Sequence, residues 1–212
     1  MTFSTGSLGS SDLITRETYT KKILLFSVIA LLVGCAGGPP VKNSQITKSN
    51  LPQQHLIQNV PIYRQPYMDC GPTSLRMVLN FYGKDLSQEE IGRARRGRGT
   101  SVSDMESYPR SLGFDVYSFY DWKKEDMKYL IAQGYPLIAL GVRPPNWSKN
   151  ERYSGEGHYV VLVGYDESKN IYNVHDPNGG RRMEIPYDVF KDFHKSHPTN
   201  GNYVLCIYPK LK

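Results

Sequence analysis

The sequence predicts an α+β domain, in which helices come first and pack on a mainly antiparallel sheet. Apolar side chains at helical spacing follow Cys70, namely Leu75, Val78, Leu79 and Tyr82. Beyond residue 136 the pattern changes to short runs rich in Val, Ile, Leu and Tyr, which are typical of strands. Helices followed by strands, rather than alternating with them, indicate an α+β fold and not a parallel sheet.

Start and stop signals delimit the helices. Asp69 and Pro72 mark the start of the first helix, with Asp69 expected to cap it, and Gly83 suits its end. Two Ser-x-x-Glu patterns, at 87–90 and at 103–106, predict the capping boxes of two short helices. A further helix is predicted over 123–133, because Asp121 lies near its start and Gly134 at its end.

The strands follow from residue type and from the lack of polar alternation. The runs at 158–166 and 203–208 are apolar on both faces, which indicates central strands that are covered on both sides. The complete set of predicted strands covers residues 114–120, 136–142, 158–166, 171–176 and 203–208.

The composition is that of one folded domain with some additional chain. The 212 residues are 39% hydrophobic and 22% charged, which excludes a wholly disordered protein. Three cysteines are too few for a disulfide scaffold. The chain contains no phosphate-binding loop of the type found in nucleotide-driven motors. The net charge of +6 is interpreted as a mildly basic surface.

The N-terminal region is typical of a bacterial secretion signal. Lys21 and Lys22 precede a short apolar run at 23–34, which has too few residues to span a bilayer. A basic pair, a short apolar stretch and small residues before a cleavage point are the features of a signal peptide. The alternative is an N-terminal core helix with a buried Cys35, but the flanking residues do not resemble a helix start.

The end of the apolar run, Leu-Val-Gly-Cys at 32–35, resembles the lipobox of bacterial lipoproteins. The resemblance implies cleavage after Gly34 and acylation of Cys35, which would anchor the protein to a membrane. It also implies sorting to the outer membrane, since Ala36 and not aspartate follows the cysteine. We therefore expect a signal peptide over 1–34, a lipidated N-terminus with a flexible tether over 35–59, and the folded domain over 60–212.

Three residues form a candidate catalytic set. Cys70 begins a helix, where the helix dipole and free N–H groups stabilise a thiolate. His158 heads a buried strand and Asp176 ends the next one, so one hairpin can present both to the thiol. A nucleophilic cysteine needs such a base, and the base needs an orienting group. The alternative for Cys70 is a small buried hydrophobic residue, the usual state of a free cysteine.

The segments at 69–83, 129–140, 157–166 and 175–180 resemble the C39-like cysteine peptidases, which have a papain-like fold. The resemblance implies that Cys70 is the nucleophile, His158 the general base and acid, and Asp176 its orienting partner. It further implies that the amide of Gln65 helps to form the oxyanion hole, although papain-like enzymes more often place this residue six positions before the cysteine than five. The alternative for Gln65 is a surface residue in a loop.

This assignment constrains the hairpin between the third and fourth predicted strands. If Asp166 pairs with Ile171 across a regular four-residue loop, His158 and Asp176 fall on opposite faces of the sheet. The triad therefore requires a three- or five-residue loop, or one β-bulge that shifts the pairing.

The remaining candidates are interpreted as structural. His175 alternates with Asp176 and so faces away from the site, and a metal bound by these residues lacks the usual ligand spacing. Cys206 is expected in the core, and the basic run 93–98 on a solvated face. Long loops such as 143–157 often act as lids or binding loops. Three further histidines are expected in solvent: His55, His194 and His197.

The sequence thus predicts a membrane-anchored cysteine peptidase that cleaves a peptide or isopeptide bond through a thioester. The alternatives are a non-catalytic peptide-binding lipoprotein and an acyl transferase of the transglutaminase type, since the same triad permits an amine acceptor. We expect a monomer with a peptide or protein substrate, and no cofactor, metal or nucleic acid.

Overall fold

The computed structural model describes residues 1–2, 38–95, 99–120, 123–143, 147 and 155–210. Contacts divide the chain into two units, Met1–Gly38 and Pro39–Lys212, and the second is described below. Nearly all of the predicted signal peptide, together with Cys35, lies outside the described residues. Within the described ranges no helix has both the length and the apolar character needed to cross a bilayer.

The described part of Pro39–Lys212 contains five helices and seven strands. In chain order these are β1 (Gln54–Leu56), α1 (Cys70–Phe81), α2 (Gln88–Gly92), α3 (Val102–Ser111), β2 (Phe114–Phe119), α4 (Lys124–Ala132), β3 (Leu137–Val142), β4 (Gly157–Asp166), β5 (Ile171–Asp176), β6 (Arg181–Pro186), α5 (Tyr187–Lys195) and β7 (Val204–Pro209).

All strand pairs belong to one antiparallel sheet. Six strands follow the order β2-β7-β3-β4-β5-β6, and β1 pairs with β4 beside this path. The two strands predicted to be central, β4 and β7, lie inside the sheet and are almost wholly buried. Helix α1 packs against β4, where Ser74 Oγ donates to the Tyr159 carbonyl. The α+β prediction with a mainly antiparallel sheet is confirmed.

Helix α1 carries the predicted apolar stripe. Leu75, Val78 and Leu79 are completely buried, which fixes the helix on the sheet and therefore fixes the position of its first residue, Cys70. Gly83 follows the helix with φ +84°, a left-handed conformation that costs glycine little.

One of the two predicted capping boxes is confirmed and the other is wrong. Ser87 and Glu90 exchange side-chain to backbone hydrogen bonds at the start of α2. The second box is formed by Ser101 and Asp104, two residues earlier than the prediction at 103–106. Ser101 has the extended backbone that a capping residue requires, and aspartate can replace the expected glutamate as the reciprocal acceptor.

The prediction of a flexible tether through residue 59 is wrong for 39–59. The Gln133 side-chain carbonyl accepts hydrogen bonds from the backbone N–H groups of Lys42 and Asn43, both at 2.8 Å. The Lys42 ammonium lies 3.9 Å from the centre of the Tyr135 ring. Further along, β1 adds a strand beside β4. Backbone groups of this segment donate several of these hydrogen bonds, and any residue except proline has such a donor. The attachment therefore leaves no hydrophobic periodicity in the sequence.

Strand β6 and helix α5 were not predicted from the sequence. Helix α5 buries Val189, Phe190 and Phe193, a helical spacing that could have been recognised. His194 on the same helix is buried, and its Nε2 lies 3.1 Å from the Tyr203 carbonyl oxygen. The prediction that His194 lies in solvent is therefore wrong, and burial lowers the pKa of this imidazole to about 4.

Candidate active site

Cys70 is the first residue of α1 and is partly buried. Its Sγ lies 3.9 Å from the carbonyl oxygen of Gly157, the first residue of β4. Burial alone would raise the pKa of the thiol, but the hydrogen bond and the positive charge of His158 outweigh burial, so the pKa of Cys70 is lowered. Backbone hydrogen bonds at Tyr159 and Gly71 add to this stabilisation of the thiolate.

A β-bulge in the hairpin of β4 and β5 places the other two residues. Asp166 pairs with Ile171 across a four-residue loop, and this register continues as far as Gly164. It then shifts by one residue, so that Leu162 pairs with Val174 and the following residues are offset. The shift brings His158 and Asp176 to the same face. The prediction of either an odd loop or one β-bulge is thus confirmed, and the structure has the β-bulge.

His158 and Asp176 form a buried pair. His158 Nε2 lies 2.8 Å from Asp176 Oδ1, and both residues are at least 95% buried. Burial alone would lower the pKa of His158, but the hydrogen bond to Asp176 and the contact with Cys70 outweigh it and raise the pKa to about 9. Since Nε2 is engaged by the carboxylate, Nδ1 is the ring nitrogen that is left for the thiol.

Three donors hold the Asp176 carboxylate. Oδ1 accepts from His158 and from the Asn178 backbone N–H at 2.9 Å, whereas Oδ2 accepts from the Trp147 indole N–H at 3.2 Å. Burial would raise the pKa of Asp176, but the hydrogen bond and charge of His158 outweigh it, and the pKa is lowered. The carboxylate therefore stays ionised and favours the imidazolium form of His158.

The hydrogen bond from Trp147 to Asp176 was not predicted from the sequence. Its ring also contacts Phe193 of α5, with ring centres 4.9 Å apart. The pairing of an indole N–H with a carboxylate has no local sequence signal, because the two residues meet only in the folded chain.

Gln65 lies at the same cavity as Cys70. Its backbone N–H donates to the Pro177 carbonyl at 2.8 Å, which ties the segment before α1 to the end of β5. The side-chain Oε1 is buried and has no hydrogen bond to any described residue. This position is compatible with donation by the Gln65 amide to a substrate oxygen, and its oxyanion role stays a prediction.

The cavity has a volume of about 1170 Å³, which is enough for a peptide segment. Residues from the segment before α1, the start of α3 and the head of β4 line it, among them Gln65, Thr100, Gly157 and Tyr159. Gly157 lies close to His197 here, since a Cβ at this position would be 3.0 Å from His197 Nε2. The cavity opens over Cys70 and His158 together.

Asp69 does not cap α1, contrary to the prediction. Its φ and ψ of −103° and 30° are not those of an extended capping residue, and its side chain makes no hydrogen bond to the helix N-terminus. Asp69 Oδ1 instead lies 2.8 Å from Arg95 Nη1. Arg95 belongs to the basic run that was interpreted as a solvated face, so that interpretation is wrong for this residue.

The alternative candidates are placed away from this chemistry. His175 is buried and precedes Asp176 on β5, so it faces the opposite side of the sheet, and burial lowers its pKa to about 4. Cys206 is completely buried in β7, as expected, and burial raises the pKa of its thiol. Among the described residues no group of three or more His, Cys, Asp or Glu side chains is arranged to hold a metal ion.

Comparison with solved structures supports the fold. A protein from Bacillus anthracis described as a C39-like peptidase superposes with a TM-score of 0.58 at 15% identity, covering 75% of this chain and 99% of its own. Xylellain, a cysteine protease from Xylella fastidiosa, gives 0.56 at 14% identity, covering 81% and 91%. A double-glycine-motif protease from an AMS/PCAT transporter, solved with its leader peptide, gives 0.51 at 23% identity, covering 74% and 99%.

Sequence comparison identifies the family. An alignment of 132 residues shows 30% identity to the lactococcin transport/processing ATP-binding protein LcnC-like of Lactococcus lactis subsp. lactis (strain IL1403). The alignment covers 58% of this chain but 16% of that protein. This chain therefore matches only a small part of that curated relative. The model of the Peptidase_C39 like family matches residues 57–204. The chain belongs to the Peptidase_C39 like family and is a cysteine peptidase with a papain-like fold.

Proposed function

We propose that this cysteine peptidase cleaves a peptide or isopeptide bond through a thioester on Cys70. The observation that carries the proposal is the buried hydrogen bond between His158 Nε2 and Asp176 Oδ1, which leaves Nδ1 for the thiol. The pKa of Cys70 is lowered and that of His158 is raised, so the pair favours thiolate and imidazolium. This is the charge state that a cysteine nucleophile requires.

In the first half of the reaction the Cys70 thiolate attacks the carbonyl carbon of the substrate. The oxygen becomes an oxyanion, and we expect the Cys70 backbone N–H and the Gln65 amide to stabilise it. One such donor is worth about 10²–10³ in rate. The C–N bond then breaks, and the imidazolium of His158 gives its proton to the departing amine. The products of this half are a free amine and a thioester on Cys70.

In the second half water replaces the amine. Neutral His158 removes a proton from the water as it attacks the thioester carbonyl. The C–S bond breaks, the acid product leaves, and the thiolate and imidazolium are restored. An amine in place of the water would give transacylation with the same residues, so the acceptor decides between hydrolase and transferase.

The substrate class that fits best is an extended peptide or a flexible protein segment. The cavity volume of about 1170 Å³ exceeds the need of a single side chain. One structurally similar protease was solved with a leader peptide, which supports a peptide as the occupant.

A diverse peptide library, analysed by mass spectrometry, tests this function. We expect pairs of products whose masses sum to the substrate plus one water. A parallel reaction with an added primary amine measures acyl transfer. An excess of amide over acid products would show that the main activity is acyl transfer and not hydrolysis. Reversible peptide binding with neither product would instead support the non-catalytic binding protein and contradict the proposal.

We further propose that the mature chain begins at a lipidated Cys35 and is held at the outer membrane, facing the periplasm. The basic pair, the apolar run at 23–34 and the Leu-Val-Gly-Cys ending support this proposal. Two or more acyl chains, at about 0.8 kcal/mol for each buried CH₂, give stable attachment.

Inhibition of lipoprotein signal peptidase with globomycin tests the anchor. We expect a larger precursor to accumulate in treated cells, and the Cys35→Ser variant to carry no lipid. Outer-membrane fractions should contain the wild-type protein. A mature wild-type protein that is soluble without detergent would contradict the proposal.

A further inference from the structure

The ion pair of Asp69 and Arg95 lies next to the candidate nucleophile. Asp69 directly precedes Cys70, and its Oδ1 is 2.8 Å from Arg95 Nη1. Asp69 is about nine-tenths buried, and Arg95 is partly buried. Oδ1 has no well-aligned hydrogen bond to any described residue, so the guanidinium charge is what compensates the carboxylate there.

The position of Asp69 makes this compensation relevant to Cys70. A carboxylate beside a thiol disfavours the thiolate. It weakens the stabilisation of the thiolate by a helix N-terminus unless its charge is neutralised or hydrogen-bonded to the helix. The Asp69 side chain accepts no hydrogen bond from the N–H groups at the start of α1, so these groups do not compensate its charge. The Arg95 guanidinium, 2.8 Å from Asp69 Oδ1, is placed to cancel this charge.

The segment that carries Arg95 is packed closely on the start of α1. Arg95 follows α2, and its N–H donates to the Gly92 carbonyl at 3.1 Å. Further along, Thr100 lies so close to Gly71 that a Cβ on this glycine would be 2.7 Å from Thr100 Cβ. Thr100 thus packs against the first turn of α1, directly after Asp69 and Cys70 in the chain.

We propose that Arg95 is a positioning residue that neutralises Asp69 and thereby keeps the Cys70 thiol ionised at neutral pH. The proposal rests on the role of Cys70 as the nucleophile. Arg95 is not among the described residues that line the cavity, and it acts through Asp69.

Other charged and titratable groups also surround Cys70. His158 is paired with Asp176, and Tyr159 is buried with its pKa raised by burial. Other such groups among the described residues line the cavity: Arg64, Tyr67, Arg143, Glu156 and His197. All of these are unchanged in the variants below, so differences between variants report on the Asp69–Arg95 pair.

The rate of Cys70 alkylation by iodoacetamide, measured against pH, tests the proposal without a substrate. Mass spectrometry of the Cys70 peptide separates this thiol from Cys35 and Cys206. Arg95→Gln is expected to slow alkylation near pH 7 by about three- to tenfold, because an uncompensated carboxylate opposes thiolate formation. The midpoint of the pH curve should move to higher pH.

Two further variants separate charge from structure. Asp69→Asn should speed alkylation near pH 7 and move the midpoint to lower pH, since Arg95 then lacks its counter-charge. The double variant Asp69→Asn/Arg95→Gln should return close to wild type, and Arg95→Lys should stay close to it. If Arg95→Gln does not fold by circular dichroism, the shift of Asp69→Asn decides.

Arg93→Gln is the matched control, because Arg93 is an exposed residue of the same segment. An equal slowing in Arg93→Gln, or an unchanged pH curve in Arg95→Gln or Asp69→Asn, would overturn the proposal. Failure of the proposed function looks different, since it would leave these alkylation differences intact while no peptide is cleaved.

Discussion

Replacing Cys70 by alanine is expected to lower peptide cleavage by at least about 10⁴-fold, because the thioester cannot form without the sulfur. The fold should persist, since a small and partly exposed side chain is removed and surface-proximal changes of this kind cost about 1 kcal/mol or less. Cleavage of a reporter peptide and thermal unfolding, measured on the same sample, check both parts. Covalent labelling by a thiol-directed activity probe should disappear.

Cys206→Ala provides the matched control, because it also removes one thiol. Cys206 is completely buried, so its loss leaves a small cavity and should lower the unfolding temperature more than Cys70→Ala does. Probe labelling and cleavage should remain. A Cys70→Ala protein that still cleaves peptides would refute the catalytic assignment.

Asp176→Ala should lower kcat/KM by about 10²-fold or more, within the 10²–10⁴ that positioned acid–base catalysis supplies. The change removes the acceptor that orients His158 Nε2. Asp176→Asn should retain more activity than Asp176→Ala, since an amide oxygen can still accept from His158 and from the Asn178 N–H. Steady-state kinetics of the two variants, with folding checked by circular dichroism, tests this order.

The pH profile gives a second readout of the same pair. In the wild type, activity rises as the Cys70 thiol ionises and falls as His158 loses its proton, whose pKa is about 9. Asp176→Asn removes the negative charge that helps to raise the pKa of His158, so the alkaline limb should move to lower pH. An unmoved alkaline limb would contradict the assignment of Asp176 as the partner of His158.

Trp147→Phe tests the third contact of this carboxylate. In Asp176→Asn, the amide nitrogen takes the place of Oδ2 and faces the Trp147 indole N–H, so two donors oppose each other. Removing the indole N–H in the same background should recover part of the lost activity. No recovery in the double variant would show that this clash does not account for the loss.

The helices and most strands could be predicted because their signals are local. The stripe of Leu75, Val78 and Leu79 needs only the period of a helix, and the apolar run of β4 needs only residue type. The exact capping box of α3 was misplaced by two residues, since Ser101 and Ser103 offer similar local patterns.

The triad was predicted from local motifs together with a resemblance to a family, and its geometry then required a specific irregularity. His158 and Asp176 can meet only if the hairpin pairing shifts by one residue. The sequence could state that requirement, but it did not choose between an odd loop and a bulge. The tertiary structure has the bulge, between Leu162 and Gly164, because the pairing depends on both strands and on their neighbours.

By itself, the sequence determined the order of elements, the buried faces, and the position of Cys70 at the start of a helix. Only the tertiary structure decided which distant groups meet: Arg95 with Asp69, Trp147 with Asp176, and Gln133 with the segment at 42–43. The physical reason is that periodicity and capping act within a few residues, whereas ion pairs and buried hydrogen bonds depend on how the packed core brings separate segments together.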